Sequence, residues 1–201
     1  MNSHAVPSRA MSTSVLRVED HYVDRLTRLG LGQDYDSMKL GRTTEAWLAA
    51  GQALQAHVSG ILEGVTPHVE VIGSSSVVGL LAKPVIDLAV GLTAEQPLPA
   101  TEKRLVSDGW IYRGDAGADG GHVFVLESRP RHRVAHLHVV THDGQAWRDY
   151  LRLRDLLRRS AVARRRYEAV KVELAQREPV DRKAYTVGKS DVVASLLRGC
   201  E

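Results

Sequence analysis

A serine-rich turn is the first feature of this sequence that could do chemistry. Gly73, Ser74, Ser75 and Ser76 follow an alternating apolar run and precede a short apolar segment. Glycine allows close backbone approach, and hydroxyls and amides at the start of a helical turn can receive a phosphate. Neither the Walker A spacing nor G-x-G-x-x-G is present. The sequence therefore leaves two interpretations open, a phosphate cradle and an ordinary capping turn.

An acid in an apolar strand is the second feature. Asp87 lies within the run from Val85 to Leu92, where an unpaired charge would be costly. The alternation of side chains in a strand puts Val85, Asp87 and Ala89 on one face, so Asp87 can point into the crevice that contains the serine turn. Asp87 is a candidate metal ligand and catalytic acid, and the alternative is a structural acid that caps a loop or pairs with an arginine.

Two histidines form the third feature. His136 and His138 are separated by one residue in a predicted strand, so both rings point to the same face. Such a pair can bind metal or phosphate or carry protons. A structural zinc site is not expected, because no cysteine lies near this pair and only one carboxylate is well placed. The alternative is a half-exposed polar face.

Composition limits the setting of these residues. The 201 residues, 43% hydrophobic and 25% charged, predict one globular domain. No apolar stretch reaches the roughly 20 residues that span a bilayer, and the polar start lacks a signal-peptide core. We expect a disordered leader over residues 1–14, a single domain over 15–201 and, with Cys200 as the lone cysteine, a cytoplasmic location without membrane partners.

Positive charge is concentrated in the last third of the chain. Residues 127–201 carry 17 Lys and Arg against 10 Asp and Glu, whereas residues 1–126 carry 10 against 14. The surplus could serve a polyanion or could be a solvated helical face. Nucleic acid is not the expected partner, because the basic segment has neither interleaved aromatic residues nor a known binding motif.

Periodicity predicts the elements that must position these side chains. Helical spacing predicts helices over residues 16–29, 43–64, 77–82, 101–109 and 147–197, the last broken near Ser160 and Pro179. Alternating or continuous apolar runs predict strands over residues 67–72, 85–92, 110–113, 123–127 and 134–140. This order predicts an α+β (mixed α/β) domain with a sheet of about four to five strands, covering residues 65–143, between N-terminal helices over 15–64 and a basic helical segment over 144–201.

An ordered set of motifs resembles the GrpB (UPF0157) family. The set begins with VIGSSSVVGLLAKPVIDLAV over residues 71–90 and continues with His136-Leu-His138, Trp147 and Arg154-Asp155-x-Leu157-Arg158. It ends with Tyr167-x-x-x-Lys171, Leu174-Ala175 and Tyr185-x-x-x-Lys189, so that the resemblance covers roughly residues 65–198. Residues 33–38, by contrast, lack the Trp-Pro segment with which members usually open.

The resemblance implies a nucleotidyltransferase-like fold, in which a Gly-Ser turn holds a triphosphate and carboxylates on the following strands hold Mg²⁺. On that pattern Gly73, Ser74 and Ser75 bind phosphate and Asp87 occupies the second acid position, while Val85 stands at the first. His136 or His138 would carry protons or add a ligand. The remaining positions would give a cationic or polar wall, and they are Lys83, Arg154, Arg158, Lys171, Tyr185 and Lys189.

Two functions remain open at this point. The first is an enzyme that binds a nucleoside triphosphate or another phosphorylated small molecule, with Mg²⁺, and acts on a small-molecule acceptor. The second is a noncatalytic phosphate-binding module that assists a partner. A similar domain is fused to dephospho-coenzyme A kinase in some bacteria, so the resemblance implies a link to coenzyme A. For Arg154, a buried bridge to Asp87 or Asp155 is the alternative to a role in the pocket wall.

Overall fold

The computed structural model describes residues 18–66, 68–117, 121–177 and 182–199, with side chains for all of these except 18–21 and 182–187. Within these residues there are six α-helices. They are α1 (Val18–Arg28), α2 (Glu45–Ile61), α3 (Leu98–Ser107), α4 (Gln145–Arg159), α5 (Ala161–Arg177) and α6 (Arg182–Leu197). A single 3₁₀ turn, Ser74–Ser76, lies between α2 and α3. The predicted leader over 1–14 lies outside the described residues.

Eight strands form a large mixed sheet and a small ribbon. They are β1 (Gln33–Asp34), β2 (Gly41–Arg42), β3 (Val69–Ile72), β4 (Leu81–Ala82), β5 (Ile86–Leu92), β6 (Ile111–Asp115), β7 (His122–Arg129) and β8 (His132–Thr141). Five strands lie in the order β3-β5-β8-β7-β6, the two-residue β1 also pairs with β8, and β2 pairs with β4 in the ribbon. Only β5 and β8 run parallel among these pairs. The fold class expected from the sequence is confirmed.

The two faces of the sheet are covered by different helices. Helices α1, α2 and α3 pack on one face, where Leu54 and Val58 of α2 meet Leu88 of β5 and Leu137 of β8 in the main core. All four side chains are fully buried, and each contributes roughly 1.5–3 kcal/mol of hydrophobic stabilisation. This face contains no residue of the predicted site.

Helix α4 covers the opposite face with a smaller apolar contact. Trp147 of α4 packs on Ala89 of β5 and Val140 of β8. Helices α5 and α6 then pack on α4 around Leu157 and Tyr167. The C-terminal helices therefore lie beside the sheet face that contains Asp87 and the two histidines. Within the described residues no helix is long and apolar enough to cross a membrane.

The helix predicted over residues 77–82 is wrong. The 3₁₀ turn ends before Val77, which is extended, and Gly79 has φ of +80°. Leu81 and Ala82 form β4 and pair with Arg42 and Gly41 of β2. Pairing with a distant strand overrides the local helical pattern here. The segment finds its hydrogen-bond partners in a polar stretch 40 residues earlier, which showed no strand pattern in the sequence.

Other boundaries follow the sequence more closely. Thr44 caps α2, and its side chain accepts a hydrogen bond from the backbone N–H of Trp47. Helix α3 begins at Leu98 rather than Thr101, directly after Pro97. The break between α4 and α5 falls at Ser160 as predicted. The break near Pro179 lies outside the described residues.

Candidate functional site

The parallel pairing of β5 and β8 places Asp87 directly opposite His136. His136 Nδ1 lies 3.1 Å from Asp87 Oδ1, and the side chains are 20% and 29% exposed. Burial by itself raises the pKa of Asp87, but the hydrogen bond with His136 and the electrostatic interactions with His136, His138 and Lys189 outweigh burial and lower the pKa. Asp87 is therefore an ionised carboxylate at neutral pH that can orient the imidazole.

His138 lies on the same face, two residues further along β8. Its Nδ1 is 3.4 Å from the hydroxyl of Tyr150, and the two rings are 5.4 Å apart. Sequence reasoning missed Tyr150. A signal was available, because Tyr150 lies three residues after Trp147 and four before Arg154 in α4, the spacing of one helix face.

Gly73 is required by the closeness of the serine turn to Asp87. Its φ is +70° and its ψ is −171°, in a region nearly confined to glycine. A Cβ at this position would lie 2.5 Å from Asp87 Oδ2. The structure thus brings the predicted turn and the predicted acid into direct contact.

The three serines of the turn have different partners. Ser75 Oγ accepts a hydrogen bond from the Asp87 backbone N–H at 3.3 Å, and Ser76 Oγ donates to the Gly73 carbonyl at 2.6 Å. Both of these residues are buried. Ser74 is half-buried, and its hydroxyl accepts a hydrogen bond from Lys171 Nζ at 3.0 Å. Of the three hydroxyls, that of Ser74 is the best placed to meet a ligand.

Lys171 of α5 lies beneath the turn and is only 1% exposed. Besides Ser74, its Nζ donates to the carbonyl of Leu81. Burial and the charge of Lys189 lower the pKa of Lys171 to about 7, against the opposing effect of Asp87 and Glu168. A buried amine that titrates near neutral pH is unusual for a lysine, whose ordinary pKa is about 10.4.

Glu168 is a second residue that sequence reasoning missed. Its Oε1 accepts hydrogen bonds from the Leu81 backbone N–H at 2.7 Å and from Arg42 at 2.6 Å. Glu168 lies one helical turn before Lys171, and this i, i+3 spacing was the available signal. The carboxylate anchors β4 to α5 and so fixes the strand whose carbonyl holds Lys171.

The two arginines of α4 bond acidic side chains and backbone carbonyls of β3 and of the turn. Arg154 Nη1 lies 2.8 Å from Glu70 and 3.1 Å from the Val71 carbonyl, and its Nε lies 2.8 Å from Asp155. The structure therefore gives Arg154 the bridge to Asp155 that the sequence left as an alternative, and adds Glu70. Arg158 donates to the Ser76 carbonyl at 3.0 Å from Nη2 and 3.3 Å from Nε.

The remaining predicted residues are distributed unevenly. Lys189 of α6 is half-buried, and its charge acts on both Asp87 and Lys171. Lys83 is half-buried directly after β4. The side chain of Tyr185 lies outside the described residues. We call the residues that converge on the turn the Asp87 cluster, which consists of Ser74, Asp87, His136, Lys171 and Lys189.

The donors of the Asp87 cluster do not fit the paired-carboxylate magnesium site that the resemblance implies. Val85, at the first acid position, is apolar and 3% exposed. Throughout the described ranges, no group of three or more His, Cys, Asp or Glu residues could hold a metal ion. Mg²⁺ prefers oxygen ligands in octahedral geometry, and here one carboxylate is already bonded to an imidazole.

A cavity of about 550 Å³ lies away from the Asp87 cluster, near the carboxyl ends of β5 and β8. Among its described lining residues Asp115 and His122 are ionisable, and none is a lysine or an arginine. A phosphate needs positive charge or many donors to replace its hydration. The Asp87 cluster, rather than this cavity, has the charges for an anion.

Known proteins with similar sequences identify the family of this chain. A family model described as GrpB protein matches residues 37–198. The glutamate-rich protein GrpB of Alkalihalophilus pseudofirmus is 27% identical over 172 residues, which are 83% of this chain and 98% of that protein. A UPF0157 protein of Deinococcus radiodurans is 36% identical over 129 residues, covering 64% of this chain and 65% of that one.

Solved structures show the same fold. The crystal structure of the conserved protein GrpB from Enterococcus faecalis has a TM-score of 0.69 and 25% identity, and covers 81% of this chain and 99% of that one. The Cid1 poly (U) polymerase, at a TM-score of 0.52 and 14% identity, covers 84% of this chain and 53% of its own, a likeness that shows the fold alone. The chain belongs to the GrpB (UPF0157) family and has a nucleotidyltransferase-like fold.

Proposed function

We propose that the chain is a nucleotidyltransferase-like enzyme that binds a nucleoside triphosphate or another phosphorylated small molecule at the Asp87 cluster and acts on a small-molecule acceptor. The observation that carries the proposal is the hydrogen bond at 3.0 Å from the buried Lys171 of α5 to Ser74, in the turn bonded to Asp87, and the charge of Lys189 from α6 acts on the same two groups, Asp87 and Lys171. The ammonium form of a fully buried lysine such as Lys171 carries a large electrostatic cost unless an anion offsets it. A phosphate group is such an anion.

The parts of the cluster have separate roles in this proposal. The Ser74 hydroxyl contacts a phosphate oxygen, and Lys189 approaches the same group from α6. Lys171 holds the hydroxyl of Ser74 in place at 3.0 Å and adds its charge from below. Charge-assisted hydrogen bonds of this kind are about twice as strong as neutral ones.

His136 supplies the proton chemistry in the proposed reaction. Asp87 bonds Nδ1 of the ring, so Nε2 can take the proton from an acceptor hydroxyl as that hydroxyl attacks the α-phosphorus of the triphosphate, the bond from the α-phosphorus to the bridging oxygen breaks and pyrophosphate leaves. A carboxylate behind an imidazole fixes the tautomer and stabilises the imidazolium that forms. His138 and Tyr150 would line the acceptor side.

A noncatalytic module is the second candidate, and the apolar Val85 at the first acid position favours it. In that case the same cluster binds a phosphorylated ligand, with coenzyme A and its precursors among the candidates, and assists a partner protein. The lone cysteine and the bacterial relatives support a cytoplasmic setting for either candidate.

Binding is the first test. Isothermal titration calorimetry with ATP, UTP, dephospho-coenzyme A and inorganic pyrophosphate should show saturable binding by at least one ligand, weakened at least tenfold in Lys189→Met. The matched control is Asp108→Asn, which removes the acid from another His–Asp pair, His57 and Asp108 at 3.0 Å between α2 and α3. Absence of binding by every ligand would refute the proposal.

Turnover separates the enzyme from the module. Radiolabelled triphosphate is incubated with a pool of bacterial metabolites and with wild type, Asp87→Asn or His136→Gln. If the chain is an enzyme, we expect a labelled product, and the rate of its formation should fall about 10²-fold or more in either variant, which is the usual contribution of a general base. Ligand binding without any labelled product identifies the module.

A further inference from the structure

We propose that the Asp87 cluster binds the phosphate of its ligand as a metal-free anion, with Lys171 and Lys189 in the place of the divalent ion. The inference rests on the phosphate site proposed above and applies equally to the enzyme and to the module. It changes the ligand class, because the group that fits is a phosphate that carries no chelated Mg²⁺.

The first argument is the charge already present. Lys171 Nζ lies 3.0 Å from the hydroxyl of Ser74, in the turn that is bonded to the Asp87 backbone through Ser75, and the charge of Lys189 acts on both Asp87 and Lys171. The remaining nearby acid, Glu168, is bonded to Arg42 at 2.6 Å. A divalent cation bound beside these amino groups would be repelled by each one that is protonated, whereas a phosphate would be attracted.

The second argument is the state of the Asp87 carboxylate. Oδ1 is bonded to His136, and Oδ2 lies so close to Gly73 that a methyl group there would clash at 2.5 Å. The carboxylate is therefore contacted by the imidazole on one oxygen and approached by the turn on the other. The first acid that would share the metal is replaced by Val85, which is buried with its apolar neighbours.

The third argument is that the protein already holds the lysine charge in place. Lys171 is buried and fixed by hydrogen bonds to Ser74 and Leu81. A positive charge held by the protein costs no reorganisation when the anion arrives. Helices α5 and α6 therefore provide the positive charge that a bound metal would otherwise provide.

Calorimetry with and without metal tests the inference. Inorganic pyrophosphate and ATP are titrated into wild type in EDTA and in excess Mg²⁺. We expect binding in EDTA, and weaker apparent binding of ATP in Mg²⁺, because Mg²⁺ withdraws the free anion. Loss of binding by tenfold or more in EDTA would overturn the inference while leaving the phosphate site intact. Binding in neither condition would refute both.

Variants identify the charges responsible. Lys189→Met should weaken pyrophosphate binding at least tenfold in EDTA, whereas Lys103→Met, which removes an exposed lysine of α3, should change it less than twofold. Val85→Asp restores the first acid and should create Mg²⁺-dependent binding that wild type lacks. If that variant does not fold, Mn²⁺ titration of wild type followed by electron paramagnetic resonance decides the question. Binding of Mn²⁺ that is abolished by Asp87→Asn would contradict the inference.

Discussion

Replacement of Gly73 by alanine tests the geometry on which the site depends. An alanine at φ +70° and ψ −171° costs about 1–3 kcal/mol of backbone strain. Its Cβ would lie 2.5 Å from Asp87 Oδ2 and 3.0 Å from Asp87 Cβ, so the carboxylate must move away. Losing the bond to His136, which is partly exposed to solvent, costs about 1 kcal/mol more. We expect Gly73→Ala to lower the free energy of unfolding by about 2–4 kcal/mol.

The assay is urea unfolding followed by far-UV circular dichroism. The control is Gly60→Ala in α2, where φ is not in the left-handed region and no atom lies within 4 Å of the new methyl group. That variant should be as stable as wild type or up to about 1 kcal/mol more stable. If Gly73→Ala unfolds within 0.5 kcal/mol of wild type, the turn does not press on Asp87 and the close approach is wrong.

Three further predictions concern other links of the structure. Lys171, whose pKa is lowered to about 7, is mostly protonated at pH 6 and mostly neutral at pH 8. The binding of sulfate, whose charge is constant, should therefore weaken by up to about tenfold between these pH values. A pH profile of sulfate binding as flat as that of Lys171→Met would contradict this. Arg154→Met removes the bonds to Glu70, Asp155 and the Val71 carbonyl and, because both acids are partly exposed, should cost about 1–2 kcal/mol of stability in urea, while sulfate affinity stays within twofold. A tenfold loss of affinity would put Arg154 in the anion site. Thr44→Ala removes the cap of α2 and should cost about 1 kcal/mol, measured by thermal unfolding, and an unchanged melting temperature would contradict the capping role.

Much of the fold was predictable because its signals are local. The apolar run over 85–92 became the buried strand β5, and the break at Ser160 became the junction of α4 and α5. The segment over 77–82 failed, because its backbone partner is the ribbon strand at Gly41 and Arg42. A pairing across 40 residues leaves no trace in the local period.

The sequence named every residue of the Asp87 cluster as a candidate, but it could not give the contacts among them. The alternation of side chains gave the face of Asp87 within its strand and the face of His136 within its own. Only the parallel register of β5 and β8 brings the two side chains together, at 3.1 Å. Sequence reasoning could not choose between two roles for Arg154, because the choice depends on where Glu70 of β3 lies. Tyr150 and Glu168 were missed, because their importance comes from contacts with other elements. Tyr150 meets His138 of β8, and Glu168 accepts hydrogen bonds from Leu81 of β4 and Arg42 of β2.

The sequence by itself determined which chemical groups are present: a Gly-Ser turn, one acid in an apolar strand, two histidines on one strand face and a surplus of positive charge in the last third. Only the tertiary structure decided how that charge is used. Most of the arginines described here bond acids or carbonyls, whereas Lys171 is buried beneath Ser74 and Lys189 lies near Asp87. The physical reason is that charge and spacing are properties of the chain, but the electrostatic cost of a lysine depends on its burial and neighbours, which exist only after α5 and α6 have packed against the sheet.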